Sequence, residues 1–542
     1  MNFIGNETKQ KLRGGYYTPL DLAIFLSRWV KEVSPRTILE PSCGDGVFFN
    51  AFNVIDNKDC KIIGFEIDKE EASKARYKAN KFLPNSKIYN RDFLEWANSH
   101  MKKEGFFDAV VGNPPFIRYQ YLPEPFQAQS EQIFENLKLP FTKHTNAWVP
   151  FVLASISLLR PGGRLAMILP SEIIHIPYAQ PVRTFLGKEC RRLVIVDPEK
   201  IWFDNTLQGV VILLAEKRTS SLDKAEGLGM YPVRNREFLN LDPEKVFLSP
   251  QSINGKTVEG KWTRALLDKT TLKLLDEVSE NDHVFRFKDI AKVDVGIVTG
   301  ANDYFLVTDK VVEEFNLSKW SHPMFGRSEH CPGIIYDRKQ HKTNARVGKP
   351  TNFIWFPKDA KINDPNVRKY IAYGEKQKLH TRYKCRIRKP WYSVPSVYSS
   401  EIGMLKRAHD IPRLILNQAK AYTTDTAYRI TSQIQPEKLV GSFINSLTAL
   451  SAELEGRYYG GGVLELVPSE IENLLIPIPK GISFDLTTID LSIRNMSPDK
   501  ILEKYSHKSL GKLGLKNSEQ EQLLAAWQKL RNRRQRIPSS LS

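Results

Sequence analysis

The stretch Phe107-Asp108-Ala109-Val110-Val111-Gly112-Asn113-Pro114-Pro115-Phe116 constrains this chain more than any other. It reads as a short buried strand, apolar and β-branched, that ends at an Asn-Pro-Pro-aromatic corner. Two successive prolines cannot continue a ladder and hold the backbone extended, so the side chain of Asn113 and the carbonyl of Pro114 take one orientation at the strand's carboxyl end. In an open α/β sheet that end is where ligands bind. An amide oxygen and a backbone carbonyl side by side accept from both hydrogens of one amino group, and Phe116 adds a stacking face. Such a corner suits a flat molecule with an exocyclic NH2, as in a nucleobase. A plain strand-ending turn is the competing explanation, because Asn-Pro opens many turns. The surrounding sequence decides between them.

The loop Glu40-Pro41-Ser42-Cys43-Gly44-Asp45-Gly46 follows the strand Thr37-Ile38-Leu39 and precedes a helix opening at Val47. Strand, glycine loop and helix let a ligand approach the backbone closely. This is not the dinucleotide fingerprint, since no third glycine follows Gly46 and the loop carries Glu40 and Asp45. Those carboxylates repel a pyrophosphate and welcome an ammonium or sulfonium. A second strand, Lys61 to Phe65, ends in Glu66, where an acidic side chain takes the two hydroxyls of a ribose. After Lys87-Ile88-Tyr89 comes Asp92-Phe93, an acceptor for an adenine amino group beside a ring to flank it. Strand after strand finishes in polar or acidic residues, so one edge of a parallel sheet is expected to hold an adenosine with a positively charged amino-acid tail. Ahead of all this, Thr18-Pro19 reads as the cap and first residue of an amphipathic helix.

Composition narrows the partner. A formal net charge of +18 over 542 residues, with 9 Trp, 20 Tyr and 28 Phe, favours a polyanion. Membrane binding also uses such charge, but no apolar run approaches a spanning helix and no signal peptide is apparent, so a soluble cytoplasmic protein is expected. Cys43, Cys60, Cys190, Cys331 and Cys385 are scattered without a CxxC pair, giving neither a disulfide framework nor a zinc site; no metal is expected.

Glu40-Pro-Ser-Cys-Gly-Asp-Gly, Glu66, Asp92-Phe93 and Asn113-Pro-Pro-Phe116, in this order and spacing, resemble the motifs of S-adenosylmethionine-dependent DNA amino-methyltransferases. With the Tyr17-Thr18-Pro19 helix standing first and a specificity region last, the arrangement is similar to the gamma class, the TaqI-like adenine-N6 enzymes of restriction-modification systems. Phe116 departs from the tyrosine common there, which keeps stacking and excludes a role for a hydroxyl. The resemblance implies a class I S-adenosylmethionine-dependent methyltransferase, an α/β doubly wound sheet over 1–250. It implies a mixed α/β target-recognition domain over 251–485 and a helical basic segment over 486–542. Asn113, Pro114, Pro115 and Phe116 are then catalytic. Tyr17, Thr18, Glu40, Ser42, Cys43, Gly44, Glu66, Asp92, Phe93, Asn113 and Phe151 face the cofactor, although Phe151 also reads as plain core. Phe203, with Trp202 as its competitor, supplies the second stacking side for an extruded base.

In the C-terminal half, Gly296 to Phe305 resembles the opening of the recognition domain of these enzymes. Between Asp337 and Arg429 basic residues alternate with aromatics, most densely at Lys384, Arg386, Arg388 and Lys389, followed by Trp391 and Tyr392. A solvated charged face and a nucleic-acid surface both fit this run, and the aromatics favour the second. Arg457 to Val463 reads either as a glycine turn approaching phosphate or as a hairpin; Arg531 to Arg536 either clamps DNA or is a basic end.

The expected activity is site-specific adenine-N6 methylation of double-stranded DNA by a prokaryotic monomer. Little chain precedes the cofactor motif, so cleavage is expected from a separate restriction endonuclease. RNA adenine, DNA cytosine-N4 and protein glutamine amides also present an NH2, and a non-catalytic DNA-binding specificity subunit is the alternative outside enzymology.

Overall fold

A computed structural model describes residues 17–537 apart from 57–58, 102–104, 200–208, 361 and 460. The chain divides into two compact units, one running to Leu266 and taking in Arg536, the other Leu267–Gln535.

The first unit is built on an eight-stranded sheet. Its strands are β1 (Thr37–Glu40), β2 (Lys61–Phe65), β3 (Lys87–Tyr89), β4 (Phe107–Gly112), β5 (Leu159–Pro170), β6 (Cys190–Pro198), β7 (Val210–Lys217) and β8 (Gly227–Val233). They lie in the order β3-β2-β1-β4-β5-β7-β6-β8. Neighbours from β3 to β5 are parallel, and β7 runs antiparallel to both β5 and β6. This is the class I S-adenosylmethionine-dependent methyltransferase sheet. Its chain reversal beside β1 opens the crevice in which doubly wound sheets hold ligands. The strands between helices are apolar because both faces are covered; Ala109, Val110 and Val111 of β4 are wholly buried.

Around the sheet stand α1 (Leu20–Lys31), α2 (Val47–Val54), α3 (Lys69–Phe82), α4 (Phe93–His100), α5 (Glu124–Asn136), α6 (Trp148–Leu158) and α7 (Gln180–Glu189). Amphipathic α1 buries Leu22, Phe25, Leu26, Trp29 and Val30. By contrast, α6 is covered over almost its whole surface and is correspondingly apolar. The antiparallel pair expected at Leu193–Val196 and Gly209–Leu214 is β6 with β7. β8, parallel to β6, lies within residues 216–285, which read from sequence as a connection with a few strands and a helix.

One local expectation is corrected. Thr18 does not cap α1; Pro19 occupies the N-cap position, with no side-chain bond to the first turn. A residue before proline is biased to extended backbone, which keeps Thr18 out of the cap position.

The second unit carries an antiparallel sheet of Ala291–Val295, Ala427–Ser432, Ile402–Leu405 and Leu414–Leu416, in that order. A second sheet joins Leu306–Val307, Asn352–Ile354, Ser321–Phe325 and Tyr422–Thr423. The expected boundaries near 250 and 485 differ from this division. Helices Leu486–Asn495, Pro498–Leu510 and Asn517–Gln535 belong to the second unit, because their apolar faces, Leu486, Ile489, Ile501, Tyr505, Leu523, Trp527 and Leu530, are buried. Arg534, expected in a free basic tail, is likewise buried and paired with Glu453 at 2.7 Å.

Among the described residues, no helix is long and apolar enough to cross a membrane.

Candidate active site

The parallel strands bring the marked residues to one sheet edge. Register pairs Leu39 with Val110, so the residues after β1 run beside those after β4. Ser42 Oγ accordingly donates to the carbonyl of Asn113 at 3.2 Å. Glycine loop and proline corner are therefore immediate neighbours, although 71 positions separate them.

The loop's shape depends on its glycines. Gly46 stands at φ 83° in the left-handed region, and a Cβ there would lie 2.9 Å from the Ala75 backbone of α3. Gly44, at φ 49°, has no heavy atom within 4 Å of the corresponding position, so its face is open to a ligand. Its amide donates to Glu66 Oε2 at 2.9 Å, and Glu66 Oε1 accepts from the Asp68 amide at 2.9 Å. Glu66 therefore holds the loop and the turn after β2 while each oxygen keeps a second lone pair. Burial raises its pKa, and the backbone bonds oppose that rise.

Glu40, the last residue of β1, is 1 % exposed, with Oε2 lacking any hydrogen-bond partner. Burial raises its pKa well above the ordinary carboxylate value, and the negative charges of Asp45 and Glu66 push in the same direction. Asp45 is matched by Lys78 of α3 at 2.8 Å. The carboxylate left for a ligand cation is thus Glu40, a distinction invisible in the acidic motif. A buried carboxylate oxygen without a partner, beside an open glycine face, fits the ammonium end of S-adenosylmethionine.

Asp92 caps α4 by accepting from the Leu94 amide at 2.8 Å, and burial raises its pKa. Phe93 is 2 % exposed and meets Phe151 of α6 with ring centroids 5.4 Å apart. Both rings thus form an apolar wall beside Asp92, with Phe65 behind Phe93 at 5.5 Å. Cys43 is buried in the loop, its amide donating to the carbonyl of Phe65.

At the corner, Pro114 is buried and Asn113, Pro115 and Phe116 are half-buried. Asn113 Nδ2 donates to Thr18 Oγ1 at 3.3 Å. Sequence reading placed Thr18 near the cofactor but missed this partner, because nothing local links residues so far apart. Tyr17 is exposed. Trp202 and Phe203 lie outside the described residues.

In the second unit, Lys384, Arg386 and Lys389 are exposed as expected of a polyanion surface. Arg388 differs: its guanidinium donates to the carbonyls of Thr299 at 2.7 Å and Val298 at 2.6 Å. Trp391 donates to Glu375 at 3.1 Å and packs with Tyr392 against an apolar cluster. These three are committed to the fold because backbone carbonyls and aromatic neighbours answer them within the unit.

Residues 32–202 match the family Eco57I restriction-modification methylase, and residues 259–510 match the C-terminal domain of Type II methyltransferase M.Eco57I. Type II methyltransferase M.AccI of Acinetobacter calcoaceticus is 24% identical over 511 residues, covering 90% of this chain and 88% of its own. Type II methyltransferase M.XamI of Xanthomonas campestris pv. amaranthicola is 21% identical over 478 residues, covering 86% and 85%. A nuclease-deletion mutant of the Type ISP restriction-modification enzyme LlaGI with a DNA substrate mimic aligns over 90% of this chain and 55% of its own, with TM-score 0.49 and 13% identity.

Proposed function

Because this chain belongs to the DNA methyltransferases of restriction-modification systems, we propose that it methylates the exocyclic N6 of an adenine extruded from double-stranded DNA. The observation that carries this reading is the Ser42–Asn113 bond, which sets the proline corner against the acid-lined loop. A methyl donor and an amino acceptor held by those two elements are neighbours without any conformational search.

In this reading Glu40 takes the ammonium of S-adenosylmethionine, Glu66 the ribose hydroxyls, and Asp92 the adenine amino group against the Phe93–Phe151 wall. Tyr17, Ser42, Cys43 and Gly44 complete the cofactor's surroundings. Bound there, S-adenosylmethionine supplies an electrophilic methyl group on a sulfonium that leaves readily.

The remaining work belongs to the corner. An adenine N6 lone pair is delocalised into the ring and is a poor nucleophile. Asn113 Oδ1 and the Pro114 carbonyl each accept one N6 hydrogen, so the nitrogen pyramidalises and its lone pair turns toward the donor. Positive charge then develops on N6, where the two carbonyl dipoles stabilise it. Pro115 keeps the corner extended, and Phe116 stacks on the target base. Phe203 is proposed for the opposite side of that base. Lys384, Arg386 and Lys389 contact phosphates.

The test is to incubate the full chain with duplex DNA and tritiated S-adenosylmethionine, then digest the DNA and identify the labelled base. N6-methyladenine is expected. Label on cytosine N4 would replace the acceptor, and failure to bind the cofactor would leave a specificity subunit.

A further inference from the structure

Resting on that reading, we propose that Tyr383 and Ile387 form an apolar wedge that enters the base stack of the bound duplex. Tyr383 opens the helical turn Tyr383–Arg386, and Ile387 closes it in helical conformation. Four residues apart, they share one face of it. Tyr383 is 63 % and Ile387 60 % exposed, so neither contributes to the core.

Cations surround the pair. Lys384 Nζ and Arg386 Cζ each lie 5.6 Å from the Tyr383 ring centroid, and exposed Arg382 and Lys389 stand at the two ends of the turn. A purely solvated basic turn does not need two large apolar groups on its outer face. An apolar tip inside a cationic collar matches a polyanion whose charges flank an apolar interior, which describes a duplex with phosphates on either side of its stacked bases.

The turn is also anchored, as a wedge must be. Cys385 is wholly buried, with Sγ 3.9 Å from the Thr299 carbonyl, and Arg388 donates to the carbonyls of Thr299 and Val298. At Gly300 a Cβ would lie 2.7 Å from Lys384 Cβ, so the turn sits directly on the 298–300 backbone. The backbone of the turn is fixed while the tip stands in solvent, and unstacking a base step therefore requires little further ordering of the backbone.

The experiment first reads the recognition word from modified bases in a host expressing the full chain. A duplex carrying that word is then made with 2-aminopurine at each purine in turn. The wild-type protein is expected to raise fluorescence at one step other than the methylated base. In the Tyr383→Ala/Ile387→Ala variant that signal disappears and affinity falls at least tenfold, while the salt dependence of binding keeps its slope because the cations remain. Tyr383→Phe retains the signal, and Tyr383→Ser alone supplies the reading if the double variant does not fold.

No unstacked step in the wild type, a signal persisting in the variant, or affinity within twofold overturns the wedge. A flatter salt slope overturns it too, by assigning the pair to holding the cations. Label on cytosine defeats the adenine reading and leaves this readout intact, because the wedge is scored away from the methylated base.

Discussion

The side-chain amide of Asn113 donates to Thr18 Oγ1 across 3.3 Å, joining the end of β4 to the residue two positions before α1. An amide whose nitrogen is held on one side presents its oxygen on the other. Thr18 is thus placed to orient the group proposed to polarise the substrate amine.

Asn113→Ala removes one of the two proposed acceptors. Methyl transfer is expected to fall by about 10²–10³ or more, the range for loss of one preorganised dipole at a charge-developing centre. Cofactor and DNA affinities stay within a few-fold, as read by single-turnover transfer beside equilibrium binding.

Thr18→Val leaves a similar shape but removes the Thr18 hydroxyl that accepts from the Asn113 amide. A loss of about 1 kcal/mol corresponds to roughly fivefold slower transfer. Thr18→Ser restores the rate, whereas equal losses in both variants would locate the defect in packing of the N-terminal segment.

Glu40 gives opposite pH signs for stability and for cofactor binding. Its pKa is raised in the folded chain, chiefly by burial, so the folded state holds a proton that the unfolded chain releases. The stability contributed by this group is present below the unfolded pKa and is lost as pH rises through the folded one. Cofactor affinity strengthens over the same rise, because the ammonium requires the carboxylate. Melting curves of cofactor-free protein and calorimetric titrations across that window check both signs. Glu40→Gln flattens the first and weakens binding throughout.

Arg534 and Glu453 form a buried pair, with Arg534 also donating to the carbonyl of His409. Arg534→Ala leaves a buried carboxylate unmatched and is expected to cost about 3–5 kcal/mol. Arg534→Met with Glu453→Leu costs far less. Urea midpoints of the three proteins distinguish a structural pair from a DNA clamp.

Lys384 and Arg386 are exposed, whereas Arg388 is tied to two carbonyls. Removing each of the first two lowers the slope of log affinity against log salt by about 0.9. Arg388→Gln leaves the slope unchanged and instead lowers the melting temperature, since the carbonyls of Thr299 and Val298 lose a charged donor, a bond worth about 1.5–3 kcal/mol. Fluorescence anisotropy with duplex DNA at graded salt reads the slopes.

The proline corner after β4, the glycine loop after β1 and the acids after β2 and before α4 were legible in the chain. Each is a local event: a run of β-branched residues, a proline that ends a ladder, a glycine that turns positive in φ. Their common sheet edge followed from repeated strand and helix periods. Strands were expected between 216 and 285, but the bounds of β8 were obscured because glycines fill alternate positions in Gly227-Leu228-Gly229-Met230 and weaken a strand signal.

What only the tertiary structure decided is which polar group remains available. Asp45 and Glu40 look alike in one motif, yet Lys78, 33 positions away, answers Asp45 and leaves Glu40 Oε2 without a partner. Arg388 and Arg386 look alike in one basic run, yet Arg388 alone reaches carbonyls some 90 positions back. Thr18 reads as a cap and serves Asn113. Chain order fixes residue type and backbone preference, but the partner of a charge is set by whichever distant element packs beside it. Burial then makes that choice matter, since an unanswered group is costly inside the protein and tolerable in water.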